Sequence, residues 1–326
     1  MILVGKSSLC HFHSIQKAVD FLEKEPSADK VTITILPGTY KEQVRIYRSD
    51  VHIIGVGEVE ISMNRCAKEL DKDGEEIGTF ATPTLFLGGS RLVIENLTIS
   101  NTAGQGDQVG QAVAVYAHCD QAVFRSCRFK GHQDTLFTGP LPPQPRERAQ
   151  FGGIPLQEHH EQYRQLYQNC YIEGTVDFIF GGATAYFENC NIHSLKQSPG
   201  KKGYITAAST PYGQRHGYVF NQCYLTAEQG VSDIYLGRPW REHAKTAFVS
   251  CSMGDHIHPS GWDNWNDPKN EQTVSYQECG DSVAIAALRL RRVPWADCLE
   301  VSDGAEESKD SFCKEHIFSG NHFWKR

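Results

Sequence analysis

The first regular pattern in the chain is a helical one. Between residues 12 and 25, apolar positions recur at the spacing of an amphipathic helix, and Ser14 stands where an N-cap residue is expected. The apolar stripe consists of Ile15, Ala18, Val19 and Leu22. After this helix, short runs rich in β-branched residues are separated by turn residues, a pattern typical of strands. The first four predicted strands cover residues 31–36, 44–46, 51–54 and 59–61.

From about residue 85 onward, a six-residue strand pattern recurs, and its fourth position is often a cysteine. The cysteines in this position are Cys127, Cys170, Cys190, Cys223 and Cys251. The closest two, Cys170 and Cys190, lie 20 residues apart, and no helical period occurs inside the units. Such a repeat indicates a solenoid of stacked coils of short strands, in which the cysteines form a buried packing ladder. A β-propeller is the alternative, but its blades need regular hairpin turns.

One internal segment departs from this repeat. Residues 139–162 are rich in Pro, Gly and Glu, which indicates a long insertion loop that leaves the stack. The repeat itself favours one elongated domain over two compact ones. The sequence therefore predicts a single all-β solenoid domain over residues 1–326, with an N-terminal capping helix.

The C-terminal tail, about residues 280–326, is predicted to be irregular and partly helical. The repeat ends after residue 277, and a helical pattern covers residues 281–292 before Pro294 ends it. Residues 301–309 are acidic and polar. We expect this tail to lie along the coil and to cap its end.

Composition narrows the classes of partner. The chain has 326 residues, 40% of them hydrophobic, and a net charge of -7 without a broad basic stripe, which argues against nucleic acid. No run is apolar enough for a membrane span, so no membrane contact is expected. Eleven cysteines without a secretory signal pattern favour reduced thiols over a disulfide framework. We expect a cytoplasmic monomer, or a secreted protein if a leader has been removed.

A carboxylate interrupts one of the apolar runs. The segment GTVDFIFG has the composition of a strand, in which Val176, Phe178 and Phe180 would share one face. Asp177 would lie on the opposite face beside Ile179. An ionised carboxylate between such neighbours is costly unless it is paired, so Asp177 is a candidate for chemistry.

Two further segments supply charged partners. Asp134 lies in the short strand-like run GHQDTLF, and Arg238 lies in LGRPW. We expect the three segments to meet on one surface. There the carboxyl group beside the guanidinium would stay ionised, and the other would hold its proton longer. For each aspartate alone, capping of a turn or pairing with a surface lysine is the alternative.

Two glutamines accompany these groups. Gln133 precedes Asp134, and Gln111 opens another predicted strand. A neutral amide can donate to an oxyanion without neutralising a nearby carboxylate. A hydrogen-bonded structural role is the alternative for Gln111.

Tryptophans provide candidate stacking surfaces. Trp240 follows Arg238, which suits a carboxylate-binding fork beside a platform for a sugar ring. Packing of the arginine on the tryptophan is the alternative. Trp262 and Trp265 are further stacking candidates, although one of them could instead pack in the core. The histidine pairs lack cysteine or carboxylate partners at metal-site spacing, so no metal is expected.

The motifs GHQDTLF, GTVDFIFG and LGRPW, in this order, resemble those of the pectin methylesterases. Flanking segments agree as well, and the resemblance covers roughly residues 10–300: FHSIQKAV, LPGTY, NTAG, QAVA and PSGW. The resemblance implies a right-handed parallel β-helix without a metal or an organic cofactor. It also implies hydrolysis of methyl esters of galacturonate units, in pectin or in methyl-esterified oligogalacturonates, with release of methanol.

The resemblance also implies roles for individual residues. Asp177 would be the nucleophile that forms an acyl-enzyme, and Asp134 the general acid and then the base. Gln111 and Gln133 would donate to the oxyanion, and Arg238 would hold Asp177 ionised. Residues that match substrate-contacting positions of the family are Thr84, Gln111, Arg238 and Trp240, and Trp262 is added as a stacking candidate.

Two other functions remain open. A hydrolase or lyase that cleaves polygalacturonate could use the same coil, since two carboxylates suit a glycosidase, whereas a lyase would need a calcium cluster and a basic residue. The oxyanion-type glutamines favour ester chemistry. A non-catalytic carbohydrate binder would depend on Trp240 and would be insensitive to loss of either aspartate.

Overall fold

The computed structural model describes residues 1–24, 29–146, 150–300 and 311–325. Over these residues the chain winds into a parallel β-helix, in which each strand pairs with the corresponding strand of the next coil. The register is kept from coil to coil, so that Val115 pairs with Leu136 and Leu136 pairs with Ile179. The predicted solenoid of stacked coils is confirmed.

The described strands form three sheets, which are the three faces of the coil. Sheet I contains, in spatial order, β1 (Ile2–Val4), β2 (Val31–Ile35), β5 (Val51–Gly55), β8 (Val93–Glu95), β11 (Ala122–Arg125), β14 (Arg164–Gln168), β17 (Thr184–Glu188), β20 (Tyr218–Asn221), β23 (Lys245–Val249), β25 (Ser275–Gly280) and β26 (Asp297–Glu300). Sheet II contains β4 (Val44–Ile46), β7 (Leu85–Leu87), β10 (Val115–Ala117), β13 (Leu136–Thr138), β16 (Ile179–Gly181), β19 (Gly203–Ala208) and β22 (Ile234–Gly237). Sheet III contains β3 (Gly38–Tyr40), β6 (Val59–Met63), β9 (Thr98–Asn101), β12 (Arg128–Lys130), β15 (Tyr171–Gly174), β18 (Asn191–Ser194), β21 (Tyr224–Ala227) and β24 (Ser252–Met253).

Helices lie outside the coil and at its ends. The described α-helices are α1 (Ile15–Lys24), α2 (Gly106–Val109), α3 (Ser282–Arg289) and α4 (Lys314–Ile317). Short 3₁₀ turns occupy Thr79–Ala81, Pro268–Gln272 and Phe323–Lys325. None of the helices in the described ranges has the length and apolar character that a membrane span requires.

The four strands predicted first are β2, β4, β5 and β6, with ends displaced by at most two residues. The N-terminal helix is confirmed as α1, and its predicted apolar stripe is buried against the first coil. The Ser14 hydroxyl accepts a hydrogen bond from the Lys17 N–H (3.3 Å), as an N-cap residue does. The Glu42 carboxylate accepts from the N–H groups of Ile15 (2.8 Å) and Gln16 (3.1 Å), so the helix start is satisfied from the neighbouring coil.

The cysteine ladder packs inside the coil, as predicted. All eleven cysteines are free thiols, and each ladder thiol donates to a backbone carbonyl of the preceding coil, for example Cys190 to Tyr167 O (3.4 Å). Burial raises the pKa of the Cys127, Cys190 and Cys251 thiols, which keeps them protonated. An aromatic ladder stacks beside them, with ring centroids 4.4 Å apart between Phe187 and Phe220. Both ladders follow from in-register stacking, which repeats one environment in every coil.

Each of the five ladder cysteines follows a residue in the left-handed region. In six coils the turn from sheet I to sheet III is made by one residue with φ between 50° and 54°. These residues are Asn96, Ser126, Asn169, Asn189, Gln222 and Ser250. Asparagine tolerates this conformation better than most residues, because its short side chain avoids the steric conflict that β-branched residues meet.

The C-terminal part of the chain adds strands to the coil beyond the predicted end of the repeat. The repeat does not end after residue 277, because β25 and β26 extend sheet I by two strands. Asp281 caps α3 by accepting from the N–H groups of Val283 (3.0 Å) and Ala284 (2.9 Å), and α3 lies against these last strands. Residues 311–325 lie along the outer face of sheet I, where four apolar side chains are buried: Ile317, Phe318, Phe323 and Trp324. The acidic stretch 301–309 lies outside the described residues.

Between β13 and β14, the described residues of 139–146 and 150–162 leave the stack. Phe151 and Ile154 pack in an apolar cluster on the outer face of sheet II, together with Phe80, Phe137 and Phe180. This segment therefore covers the same face on which the candidate site lies.

The left-handed turn makes a stability prediction. Asn189→Val should lower the free energy of unfolding by about 1–2 kcal/mol, because a β-branched side chain is strained at φ 51°. Asn189→Gly, which adopts this conformation without strain, should stay close to the parent protein. Urea unfolding of both variants measures the difference, and equal losses would contradict the argument.

Candidate active site

The two candidate aspartates occupy equivalent turns from sheet III to sheet II. Asp134 lies between β12 and β13, and Asp177 lies between β15 and β16. Both have left-handed backbone conformations, with φ of 65° and 51° respectively. Aspartate, like asparagine, is enriched in this conformation. The backbone of each turn therefore suits the residue type that carries the carboxylate.

The continuous strand predicted around Asp177 is wrong. β15 ends at Gly174, and β16 begins only at Ile179. Because the chain turns at Asp177, the alternation of faces is lost: Phe178 and Ile179 both lie in the interior, whereas Phe180 packs on the outer face of sheet II. The turn around Asp177 is rich in β-branched and aromatic residues, as strands are. Composition alone therefore did not distinguish this turn from a strand.

Backbone hydrogen bonds hold the two turns against each other. The Asp134 N–H donates to Val176 O (3.1 Å), and the Leu136 N–H donates to Phe178 O (2.9 Å). The carboxylates therefore stand at the same position in successive coils. Both residues are nearly buried, with 8% of Asp134 and 6% of Asp177 exposed.

Arg238 follows β22 and pairs with Asp177 through both arms of its guanidinium. Nε donates to Oδ1 (2.8 Å) and Nη2 donates to Oδ2 (2.7 Å). The guanidinium is sandwiched between the rings of Tyr204 and Trp265, each with its centroid 3.9 Å from Cζ. A planar, delocalised cation suits such a stack, whereas a lysine would not form it.

The two carboxyl groups have different environments. Burial raises the pKa of Asp134 well above its ordinary value, and the negative charge of Asp177 raises it further. Burial also raises the pKa of Asp177, but the charge and hydrogen bonds of Arg238 oppose this increase. Asp177 is therefore the group that ionises first, and Asp134 is the one that keeps its proton.

A cavity of about 430 Å³ lies over these groups. Six of the residues predicted for the site line it: Gln111, Gln133, Asp134, Asp177, Arg238 and Trp240. The three segments that carry Asp134, Asp177 and Arg238 are distant in the sequence and meet on one surface, as predicted. The arrangement offers a carboxylate for attack on a carbonyl carbon, a proton donor beside it and two amide side chains on the same cavity.

Two predicted substrate contacts are contradicted by the structure. Thr84 has no exposed surface (0%), and its hydroxyl donates to Ser100 O (2.8 Å) inside the coil. Trp262 is 1% exposed and stacks on Tyr276 with centroids 4.1 Å apart. Its indole N–H donates to the buried Glu278 carboxylate (3.2 Å). Both side chains point into the core and cannot contact a ligand in the cavity.

Of the two further stacking candidates, Trp265 lines the cavity and Trp262 packs in the core. Tyr204, which completes the stack on Arg238, was not predicted as a site residue. Arg146 and Phe151 reach the cavity from the segment between β13 and β14. The spacing of the second tryptophan in GWDNW was a usable signal, but nothing in the sequence pattern marked Tyr204 or the loop residues.

Within the described ranges, no group of three or more His, Cys, Asp or Glu side chains is arranged as a metal site.

A family model described as Pectinesterase matches residues 1–141 and 156–321. The chain belongs to the pectinesterase family. A curated relative from Arabidopsis thaliana, named probable pectinesterase/pectinesterase inhibitor 6, is 33% identical over 325 residues, which are 99% of this chain and 53% of the relative. The chain spans about half the length, or less, of the first relatives that it matches.

Solved structures agree with this membership. A pectin methylesterase from carrot has a TM-score of 0.78 and 25% identity, over 98% of this chain and 93% of that one. A pectin methylesterase mutant in complex with a hexasaccharide has a TM-score of 0.72 and 24% identity, over 97% of this chain and 96% of that one. The right-handed parallel β-helix expected for a pectinesterase is thereby confirmed.

The raised pKa of Asp134 makes a prediction for stability. A carboxyl group with a raised folded-state pKa destabilises the fold above that pKa and has no such effect below its ordinary range. Asp134→Asn should therefore raise the free energy of unfolding at alkaline pH, and this gain should vanish as the pH falls below the ordinary carboxyl range. Denaturant unfolding at a series of pH values measures the gain. The exposed Asp73→Asn serves as control, and a pH-independent gain at position 134 would contradict the assignment.

Proposed function

We propose that this pectinesterase-family chain hydrolyses methyl esters of galacturonate units, in pectin or in methylated oligogalacturonates, and releases methanol. The observation that carries the proposal is the buried Asp177 carboxylate, held by both arms of Arg238 beside a second carboxyl group, whose pKa burial raises. Family membership supports the reaction. The hexasaccharide bound to a structural relative supports a carbohydrate chain as the substrate.

The first half of the reaction acylates the enzyme. A carboxylate oxygen of Asp177 attacks the carbonyl carbon of the methyl ester, and negative charge develops on the carbonyl oxygen. The amides of Gln111 and Gln133 donate to this oxyanion. When the intermediate collapses, Asp134 transfers its proton to the departing methoxide, which leaves as methanol. The acyl group stays on Asp177 as an acid anhydride.

The second half restores the enzyme. Asp134, now ionised, accepts a proton from a water molecule as the water attacks the anhydride at the sugar carbonyl. The anhydride C–O bond breaks, Asp177 leaves as a carboxylate and Asp134 has regained its proton. The galacturonic acid unit is released and loses its proton to the solvent. Arg238 favours the ionised form of Asp177 before its attack and when it leaves.

The walls of the cavity suit a sugar chain. Trp240 lines the cavity, and its ring packs edge-on against Phe180 with centroids 5.7 Å apart. Such a fixed ring offers an apolar platform to the face of a sugar. Both arms of the Arg238 guanidinium hold Asp177, so Arg238 acts on the substrate through that carboxylate.

The decisive variant is Asp177→Asn. It keeps the shape of the side chain but removes the nucleophile, so methanol release from methylated pectin should fall at least about 1,000-fold. Methanol release and the length of the glycan chains should be followed together.

Three outcomes would contradict the proposal. Near-complete methanol release by Asp177→Asn would show that this carboxylate is not the nucleophile. Shortening of the chains by the parent protein without methanol release would show a glycan-cleaving hydrolase or lyase. Retained binding with no turnover by the parent protein would indicate a carbohydrate binder.

The oxyanion role predicts a second effect. Gln133→Leu should lower kcat about 100- to 1,000-fold with a smaller effect on KM. Gly106→Ala should act in the same direction, because an added Cβ would lie 2.3 Å from Oε1 of Gln133 and displace the amide. Gly280→Ala, where the nearest atom is 3.9 Å away, is the matched control. Steady-state kinetics that leave kcat unchanged in Gln133→Leu would exclude this role.

A further inference from the structure

Residues 142–155 lie between the two stretches that the family model matches. We call them the unmatched segment, and the structure describes residues 142–146 and 150–155 of it. They belong to the predicted insertion loop, and their described part lies at the cavity. Four of the cavity-lining residues come from this segment: Pro145, Arg146, Gln150 and Phe151.

Hydrogen bonds from the family-matched part of the chain hold both limbs of the segment. The Arg241 guanidinium donates to Gln144 O (2.7 Å) on the first limb. On the second limb, the Ile154 N–H donates to Phe80 O (3.0 Å), and the Tyr47 hydroxyl donates to Pro155 O (3.0 Å). The described residues of the segment are therefore seated on sheet II beside the site.

Aromatic packing fixes the segment above the cavity floor. The ring of Phe151 packs edge-on against Phe80 with centroids 5.4 Å apart, and against Trp240 with centroids 6.3 Å apart. Ile154 is buried in the same cluster. One wall of the cavity is thus made by residues outside the family match.

Arg146 continues the stack that holds the nucleophile. Tyr204 and Trp265 lie on the two sides of the Arg238 guanidinium, and the Arg146 guanidinium lies over Trp265 with Cζ 4.9 Å from the ring centroid. Trp265 therefore contacts two guanidinium groups. That of Arg146 comes from the unmatched segment, and that of Arg238 pairs with Asp177.

We propose that Arg146 is a positioning residue for Asp177: it holds Trp265 against Arg238, so the unmatched segment is a working part of the catalytic centre. The inference rests on the proposed esterase function for its kinetic test. It does not need Arg146 to contact the substrate. It requires that the stack be more ordered with the segment in place than without it.

The charges around Asp177 set the direction of the effect. The groups that face it are Asp134, Arg238, Asp263, Arg146, and the hydroxyls of Tyr204 and Tyr276. Burial and the negative charge of Asp263 raise the pKa of Asp177. The positive charges of Arg238 and Arg146 lower it. Loss of Arg146 removes one positive charge and loosens the stack on another, and both changes raise the pKa of the nucleophile.

The first experiment compares Arg146→Gln with Arg146→Lys. Arg146→Gln should move the acid limb of the kcat/KM profile to higher pH and lower kcat/KM at acidic pH about two- to five-fold, the size expected for one partly exposed cation–π contact. Arg146→Lys keeps the charge and should retain most of the limb position, although it stacks less well.

The second experiment lifts the segment without touching the stack. In Gly153→Ala the added Cβ would lie 2.3 Å from Phe80 O, which should displace the segment and shift the same limb. Gly152→Ala is a matched control, because Gly152 also has a positive φ (64° against 88°) but has no atom within 4 Å of the added Cβ. The control should keep the parent pH profile.

The alternatives give different results. A change in thermal stability alone, or in KM alone, with an unmoved acid limb would overturn the inference, and so would equal profiles for Gly153→Ala and Gly152→Ala. If the parent protein released no methanol, the proposed function would fail instead. Carboxyl-carbon NMR would still follow Asp177, assigned through Asp177→Asn, and an unchanged titration in Arg146→Gln would then overturn the inference separately.

Discussion

The pairing of Asp177 with Arg238 makes a buried negative charge tolerable on the surface of a rigid coil. A carboxylate removed from water is costly, and two charge-assisted hydrogen bonds in fork geometry offset much of that cost. The guanidinium is in turn held by two aromatic rings. Among the residues that the structure describes, no cation pairs with Asp134 in this way, so burial raises its pKa and it keeps its proton. The chemical difference between two identical side chains thus arises from one neighbouring cation.

Regular stacking supplies the positions of these groups. The coil contains two sets of turns with left-handed residues, and the two sets have different roles. The turns from sheet I to sheet III carry Asn, Ser and Gln, and each is followed by a cysteine or leucine that points into the core. The turns at Asp134 and Asp177 use the same backbone conformation on another corner and present carboxylates outward. In-register pairing then places the two carboxylates at the same position in successive coils. The relative positions of the two carboxylates are therefore set by the backbone ladder.

The sequence predicted the architecture because in-register stacking repeats one environment, and a cysteine in the fourth position records that environment in each coil. It also brought Asp134, Asp177 and Arg238 together, since each stands in a short, distinctive segment. It failed where the face of a residue depends on a turn. The run around Asp177 was predicted as a strand, although the chain turns there. Trp262 was predicted to contact the substrate, but of the two tryptophan candidates it is Trp265 that lines the cavity. Arg146 was missed because loop packing leaves no periodic signal, and Tyr204 was missed because its strand, β19, carries no motif that marks it as part of the site.

The coverings at the two ends of the coil have a consequence for self-association. A parallel β-helix exposes, at its first and last coils, unpaired backbone groups that could template growth by a second molecule. Here α1 lies over the first coil, and α3 lies against the last strands of sheet I. These helices carry side chains where another strand would otherwise add, so they act as barriers to end-to-end filament formation.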